Sequence, residues 1–488
     1  MSFCEKYRHN PADAKSLPLF IGKFILSCYP VKFQGGNINK RSTQFLSAME
    51  IVRELKSRGF IAYFVGGVVR DMLLGKTSDD IDIVTSAKPG EIVNIFPHSY
   101  EIGAAFGIIN VVIDGVPFEV ATFREERGYL DGRHPSEVKF TDNPETDALR
   151  RDFTINGMFY DPADEKIYDF VGGRNDLSKG ILRTIGKAEA RFSEDYLRIL
   201  RAVRFCVRFG YALSEDIRPA ISNLAGNLNS LSAERIRDEF NKMLTGPEPD
   251  RALRMMLEMG ILKEVLPEIA AMDGVTQHHE YHPEGDVFEH TALMLAHMAY
   301  PDIDLAWSLL LHDVGKPLTK SMGDDGVEHF YTHEQKSAEL AESILKRFRF
   351  PAKSISNIVH AVRQHMRYAH VQEMRPAKWK RLIAEETFPL ELELHRIDCI
   401  SSHRIMSSFT FLLDRMDEMA NEIKLPPPLV TGKDLIALGM RPGPEFGEIL
   451  EIIADLQLEG KITSREQALD TIVRKDFRTG LSDKAGVS

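Results

Sequence analysis

The chain has 488 residues, 27% of them charged and 43% hydrophobic, and a net charge of −11. That length exceeds one hydrophobic core, so several domains are expected, and the composition is that of a soluble globular protein. The acidic balance argues against sequence-blind coating of nucleic acid but leaves room for one local basic stripe. Cys4, Cys28, Cys206 and Cys399 are scattered without a C-x-x-C pair; this argues against a disulfide framework and for a reducing compartment, with cytoplasmic the plain expectation.

Residues 1–45 read as a polar extension containing QGGNINK. Its apolar stretch LPLFIGKFILSCYPV is short and carries Lys23, so neither a signal peptide nor a membrane span is expected. From residue 46 the pattern becomes α/β. FLSAMEIVRELKSRGF reads as a helix, IAYFV as a strand, VVRDMLLG as a short helix and DIDIVT as a second strand; IINVVID and FEVATFR are further β-branched strands. Beyond about residue 175 helical periodicity dominates, through EDYLRILRAVRFCVRF, DLAWSLLLHDVGK and EQKSAELAESILKRF. LPPP at 425–428 is a breaker and a linker.

The first chemical constellation is FVGGVVRDMLLGKTSDDIDIVT at 64–85. Side chains alternate along a strand, so Asp80 and Asp82 are predicted to share one face. Paired carboxylates repel unless cations sit between them, and an all-oxygen site suits Mg²⁺. The Gly66–Gly67 turn lets backbone N–H groups approach an anion. A phosphate cradle beside paired Mg²⁺ ligands is the apparatus of nucleotidyl transfer.

GGVVRDMLLG followed by DDIDIVT resembles the first motif of the class II tRNA nucleotidyltransferase and bacterial poly(A) polymerase family. RRDFTINGMFYD (150–161) is similar to its second motif, DFVGGRNDLSKGILRTIG (169–186) to its connector, and EDYLRILRAVRF (194–205) to its nucleobase-reading helix. The resemblance implies that Asp80 and Asp82 are metal ligands and Glu119 a third carboxylate. It implies that Gly67 and Arg70 hold the triphosphate, and that Arg151, Asp152 and Asn156 contact phosphate and ribose.

In the reading helix, Asp195 and Arg198 lie three residues apart and Arg201 and Arg204 continue that face. Arginine only donates and aspartate only accepts. Together they match the ring nitrogen and exocyclic amine of cytosine or adenine, and mismatch uracil and guanine, whose rejection rests on buried groups left unpaired. The family's poly(A) polymerases carry a basic pair where this chain has Ala104–Ala105, which favours a tRNA enzyme. The segment REERGYLDGRHPSEVKF after Glu119 is expected to be a flexible loop.

FEHTALML (288–295) and LLLHDVGKPLTK (310–320) form a second constellation. His290, His312, Asp313 and Asp398 offer four ligands, and the spacing resembles the HD phosphohydrolase superfamily, whose members bind divalent metals and hydrolyse phosphate esters. His333 and His365 match the positions that complete a two-metal version, with His360 and His370 as nearby competitors.

The expected architecture is an α/β nucleotidyltransferase head, a mixed sheet with helices, followed by a mainly α-helical neck, body, HD region and tail. The boundaries read 1–45 extension, 46–175 head, 176–275 neck binding RNA and nucleobase, 276–424 HD and 425–488 tail. The implied activity is transfer of CMP and AMP from CTP and ATP to the 3′ end of tRNA, using Mg²⁺ in the head. A divalent transition metal at the HD site would add phosphohydrolase activity on RNA ends or nucleotides. A-only addition, poly(A) synthesis and a chiefly HD hydrolase are the alternatives.

Overall fold

The computed structural model describes residues 43–78, 80–103, 107–129, 135–278, 282–283, 285–324, 326–419 and 425–474. Helix α1 (Thr43–Ser57) leads into β1 (Ala62–Val65), α2 (Gly67–Leu73), β2 (Asp82–Thr85), α3 (Pro89–Ile95), β3 (Ser99–Gly103), β4 (Ile108–Ile113) and β5 (Val116–Thr122). A hairpin of β6 (Arg124–Tyr129) and β7 (Pro135–Phe140) follows, then α4 (Pro144–Leu149), β8 (Met158–Asp161) and β9 (Lys166–Asp169). Seven strands form one sheet in the order β3-β4-β5-β2-β1-β8-β9. Only the β2–β5 pair is parallel, so the sheet is mixed, as expected.

Period-2 alternation explains how the sheet is buried on both faces. In β1, Phe64 joins the main core with Ile51, Val52 and Leu55 of α1, while Tyr63 and Val65 pack with Val84, Phe123 and Phe159 on the other face. Asp82 shares the face of Val84. The segment expected to be a flexible loop instead pairs as strands β6 and β7, from Arg124↔Phe140 to Tyr129↔Pro135. Its charged residues outnumber its few apolar ones, Tyr129, Val138 and Phe140, which hides the strand signal; residues 130–134 lie outside the described residues, as do Ala104 and Ala105.

Beyond the sheet the described residues are mainly helical, with two short two-stranded ladders, at 181–182 with 212–213 and at 321–322 with 328–329. The helices are α5 (Gly173–Lys179), α6 (Ala188–Glu194), α7 (Leu197–Phe209), α8 (Ile217–Leu224), α9 (Ala233–Leu244), α10 (Pro249–Glu258), α11 (Ile261–Val265) and α12 (Pro267–Ala270). Next come α13 (Val287–Ala296), α14 (Ile303–Leu311), α15 (Lys316–Thr319), α16 (His333–Arg347), α17 (Ala352–Gln364), α18 (Pro376–Ile383), α19 (Phe388–Ser401) and α20 (Ser407–Glu418). The tail holds α21 (Gly432–Ala437), α22 (Glu445–Leu458) and α23 (Arg465–Arg474). It has its own small core of Val430, Leu435, Ile449, Ile453 and Ile472. Residues 425–428 form no regular element, as the LPPP run requires. Among the described residues no helix is long and apolar enough to cross a membrane.

Asp286 and Asp302 cap α13 and α14, their carboxylates accepting the Glu289 and Leu305 N–H groups. Phe240 of α9 packs against Trp307 of α14 and against Phe348, and the Trp307 indole N–H donates to Asn241 Oδ1 at 2.7 Å. The neck and the HD region therefore share one apolar cluster.

One close approach supports the head from beneath. A Cβ built on Gly173 would stand 2.3 Å from the Thr154 carbonyl oxygen, in the 3₁₀ turn Thr154–Asn156. Gly173→Ala is expected to destabilise the protein by about 2 kcal/mol and to lower nucleotide affinity by shifting Asn156. Urea denaturation and a nucleotide titration check both.

Candidate active site

The carboxylate end of the head is set by where β1 stops. Val65 pairs with Asp82, and the chain then turns at Gly66, whose φ of +77° suits glycine alone among common residues. Asp80 therefore has no strand to pair with. It stands two residues before β2, rather than on it as expected, and its carbonyl accepts from Ser78 Oγ at 3.1 Å. Both aspartates still line the same cavity. The parallel register Ile83↔Val120 sets Glu119 of β5 beside Asp82. Burial, reinforced by the charges of Asp80 and Glu119, pushes the Asp82 carboxyl up to about 6 against the counteracting Arg151. Three like charges with only oxygen donors fit a hard divalent cation.

Around these carboxylates runs a cavity of about 980 Å³. Gly66, Gly67, Arg70, Arg151, Asp152, Asn156, Asp195, Arg198, Arg201 and Arg204 all line it with Asp80 and Asp82; Glu119 does not. Arg70 is buried yet charged: its Nη1 donates to Asn156 Oδ1 at 2.7 Å, its Nε to Asp71 at 2.9 Å, and its guanidinium lies 4.5 Å from the Phe209 ring. Arg151 is held by Asp147 at 2.9 and 3.2 Å. The same buried carboxylate also takes Arg150 at 2.8 Å.

Helix α7 crosses the far wall. Ile199, Leu200, Val203 and Phe205 anchor it in the core, and Gly210 ends it in a left-handed cap at φ +67°. Asp195 lies ahead of the helix rather than in its first turn: its backbone is extended, and Oδ1 accepts the Leu197 N–H at 3.1 Å. Arg198 donates to Glu194 at 2.5 Å and to the Arg191 and Arg150 carbonyls at 2.9 and 3.2 Å. Arg204 donates to Glu239 of α9 at 2.6 Å.

Arg201 reaches Asp152 Oδ2 at 2.5 and 2.9 Å. Burial pushes the Asp152 carboxyl up, but Arg201, then Arg198 and the Phe153 amide, overcome it and hold it at about 2. A depressed carboxyl stabilises the fold above the unfolded value of 3.8, and that contribution is lost as pH falls through 2. Arg201→Ala is therefore expected to cost about 2 kcal/mol at pH 7 and much less at pH 2–3. Denaturant melts at the two pH values compare them.

The second constellation closes around Asp313, at the end of α14. His312 Nε2 lies 3.0 Å from Asp313 Oδ2; His333 Nε2 and His365 Nε2 lie 3.3 and 3.9 Å from Oδ1. His290 Nε2 lies 3.1 Å from Asp398. Two triads of closely grouped ligand atoms result: His290, His312 and Asp398, and Asp313, His333 and His365. His312, His333 and His365 each direct Nδ1 at a backbone carbonyl three residues earlier, at 2.9, 2.8 and 2.7 Å. A carbonyl only accepts, so Nδ1 carries a proton and Nε2 is the nitrogen turned to the cluster, the one a metal would take. His333 Nε2 and His365 Nε2 face each other at 3.3 Å, an arrangement a cation between them would relieve. Burial, with the charge of His312, lowers His365 to about 3, keeping it neutral. Burial raises Asp313, but His312 and Lys316 pull it well below the usual carboxylate range.

His360 and His370 stay outside this cluster. His360 meets Glu391 at 3.2 Å, and His370 is exposed beside Glu373. A third grouping, His360 with Glu385 and Glu391, is already bridged by Arg367, which donates at 2.5 and 2.6 Å to the two carboxylates. Sequence reasoning missed Lys316, whose buried ammonium donates to Gln277 at 2.6 Å and meets Asp313 at 2.7 Å. Its spacing three residues after Asp313 was the available signal.

Three family models match in series: "Poly A polymerase head domain" at 62–183, "Probable RNA and SrmB- binding site of polymerase A" at 210–273 and "HD domain" at 287–402. The CCA-adding enzyme of Lactobacillus helveticus is 31% identical over 441 residues, 89% of this chain and 98% of that one. The chain belongs to the CCA-adding enzyme family. A second family member, from Lactobacillus johnsonii, is 43% identical over 228 residues, 47% of this chain and only 57% of its own length. The crystal structure of the Bacillus stearothermophilus CCA-adding enzyme in complex with CTP superposes with a TM-score of 0.68 at 27% identity, covering 89% of this chain and 98% of that one. The Thermotoga maritima CCA-adding enzyme complexed with tRNA, at 21% identity and a TM-score of 0.57, shares the fold.

Proposed function

We propose that the protein adds CMP and then AMP, from CTP and ATP, to the 3′ end of tRNA. The observation that carries this reading is the single cavity joining the Asp80–Asp82 carboxylates, the Gly66–Gly67 turn and the Asp195–Arg198 pair. Asp80 and Asp82, with Glu119 beside them, would hold Mg²⁺ ions, which supply activation of the tRNA 3′ hydroxyl and neutralisation of the triphosphate. Gly67 and Arg70 receive the phosphates; Arg151, Asp152 and Asn156 orient the phosphate and ribose. Asp195 accepts the exocyclic amine of cytosine or adenine while Arg198 donates to the ring nitrogen. The likeness to the Bacillus stearothermophilus enzyme, whose crystal structure holds CTP, supports this assignment.

The test is incorporation on three tRNA acceptors, ending before CCA, after C and after CC, with CTP and ATP supplied singly and together. Full extension of the first acceptor is expected. Addition of a single A, confined to the CC-ended acceptor, would mean an A-adding enzyme; long ladders would mean a poly(A) polymerase.

The imidazole tautomers around Asp313 favour a second reading beside the first: a divalent transition metal site in the HD region that hydrolyses phosphate esters on RNA ends or nucleotides. His290, His312, Asp313 and Asp398 would hold one ion, and His333 and His365 with Asp313 a second. Release of phosphate from a nucleoside monophosphate or cyclic phosphate, abolished by a chelator and restored by added metal, is the expected result.

A further inference from the structure

The carboxylate that must accept a base amine is not held by the helix it introduces. Asp195 sits at the break between α6 and α7, where one oxygen is spent on the Leu197 N–H. The other, Oδ2, accepts from Arg235 Nη2 at 2.8 Å. Arg235 comes from α9, forty residues further along the chain, and lines the same cavity. Four residues on, Glu239 of the same helix holds Arg204. One face of α9 thus backs the base-reading wall at two points.

We infer that Arg235 is a positioning residue for nucleobase choice, fixing the Asp195 carboxylate in the plane where it accepts the amine of cytosine or adenine. The inference rests on the nucleotide-adding reading above. A carboxylate discriminates only if it cannot turn away. Uracil presents a carbonyl where cytosine presents its amine, and a rigid Asp195 faces that carbonyl oxygen to oxygen. Without Arg235, Asp195 keeps only its Leu197 N–H bond and pivots about it, so Oδ2 leaves the plane of the base, the repulsion falls, and uracil is tolerated. The Arg235 side chain is engaged only with Asp195 among the ion pairs of the described residues.

The experiment measures kcat/KM for CTP and for UTP on a tRNA ending before CCA, with wild type, Arg235→Ala, Arg235→Lys and Arg237→Ala. Arg237 lies on the same helix but turns to the Arg349 carbonyl and Asp238, so its loss reports general damage to α9. Arg235→Ala is expected to lower the CTP-to-UTP preference by about tenfold or more, Arg235→Lys to restore part of it, and Arg237→Ala to leave the preference unchanged. An unchanged preference in Arg235→Ala, or an equal drop in Arg237→Ala, overturns the inference. Wild-type protein that incorporates neither CTP nor ATP would instead overturn the reading beneath it, and the inference with it.

Discussion

Replacing Asp82 by asparagine is expected to reduce nucleotide addition on the order of 10³-fold, through loss of several kcal/mol of transition-state stabilisation. The same change should raise the melting temperature of the metal-free protein. The sign follows from the crowded carboxylates. Asp82 is held at about 6, above its ordinary 3.8, by burial and by Asp80 and Glu119. A raised carboxyl favours the folded state below pH 3.8, and that advantage is gone once the pH passes 6. At pH 7 the ionised group costs about 3 kcal/mol, and asparagine removes that cost. Mg²⁺ should stabilise the wild type, by binding only the folded state, and leave Asp82→Asn nearly unmoved. Thermal melts with and without Mg²⁺, beside the incorporation assay, read both effects. A variant that loses activity and also melts lower would mean that Asp82 is structural.

Asp313→Asn should act on the other centre alone. The carboxylate touches His312, His333 and Lys316 at once, so both ligand triads lose a shared partner. Metal affinity is expected to fall by at least about 10²-fold, since disturbing even the outer partners of metal ligands costs 10–100-fold. Asparagine keeps an oxygen for Lys316 and limits the cost of leaving a buried ammonium unpaired. Metal content by elemental analysis should drop and phosphate-ester hydrolysis should disappear, with CMP incorporation retained. Loss of both activities in a protein that still melts cooperatively would defeat the picture of two independent centres.

The site was legible in the sequence wherever the information was local. A strand ending in two glycines, and aspartates spaced by one residue at the next strand, identify themselves because their period and turn chemistry are written within 22 residues. Legibility failed where geometry depends on partners far along the chain. Asp80 falls off the strand because β1 ends opposite Asp82. Asp195 leaves its helix because its own carboxylate caps the next one. The β6–β7 hairpin escaped because its charged residues outnumber its apolar ones, Arg124 and Glu126 pairing with each other and Glu126 with Arg150. Among the histidines, spacing alone could not separate His365 from His360 and His370. The separation comes from three dimensions: His365 turns inward with Nδ1 on the Val362 carbonyl, whereas the non-helical backbone at His370 carries that ring outward.

The packing of α9 against Trp307 has a practical corollary for dissecting the molecule. A fragment beginning near residue 276 would keep every histidine and aspartate of the second centre yet lose Phe240, which covers Trp307 and Phe348, and Asn241, which takes the indole proton. Trp307 is fully enclosed in the intact chain; its exposure on such a fragment would create an adhesive apolar surface. Separating the two chemistries is therefore a task for point substitutions in the whole chain, and insolubility of an excised piece would say nothing about whether its ligands are competent.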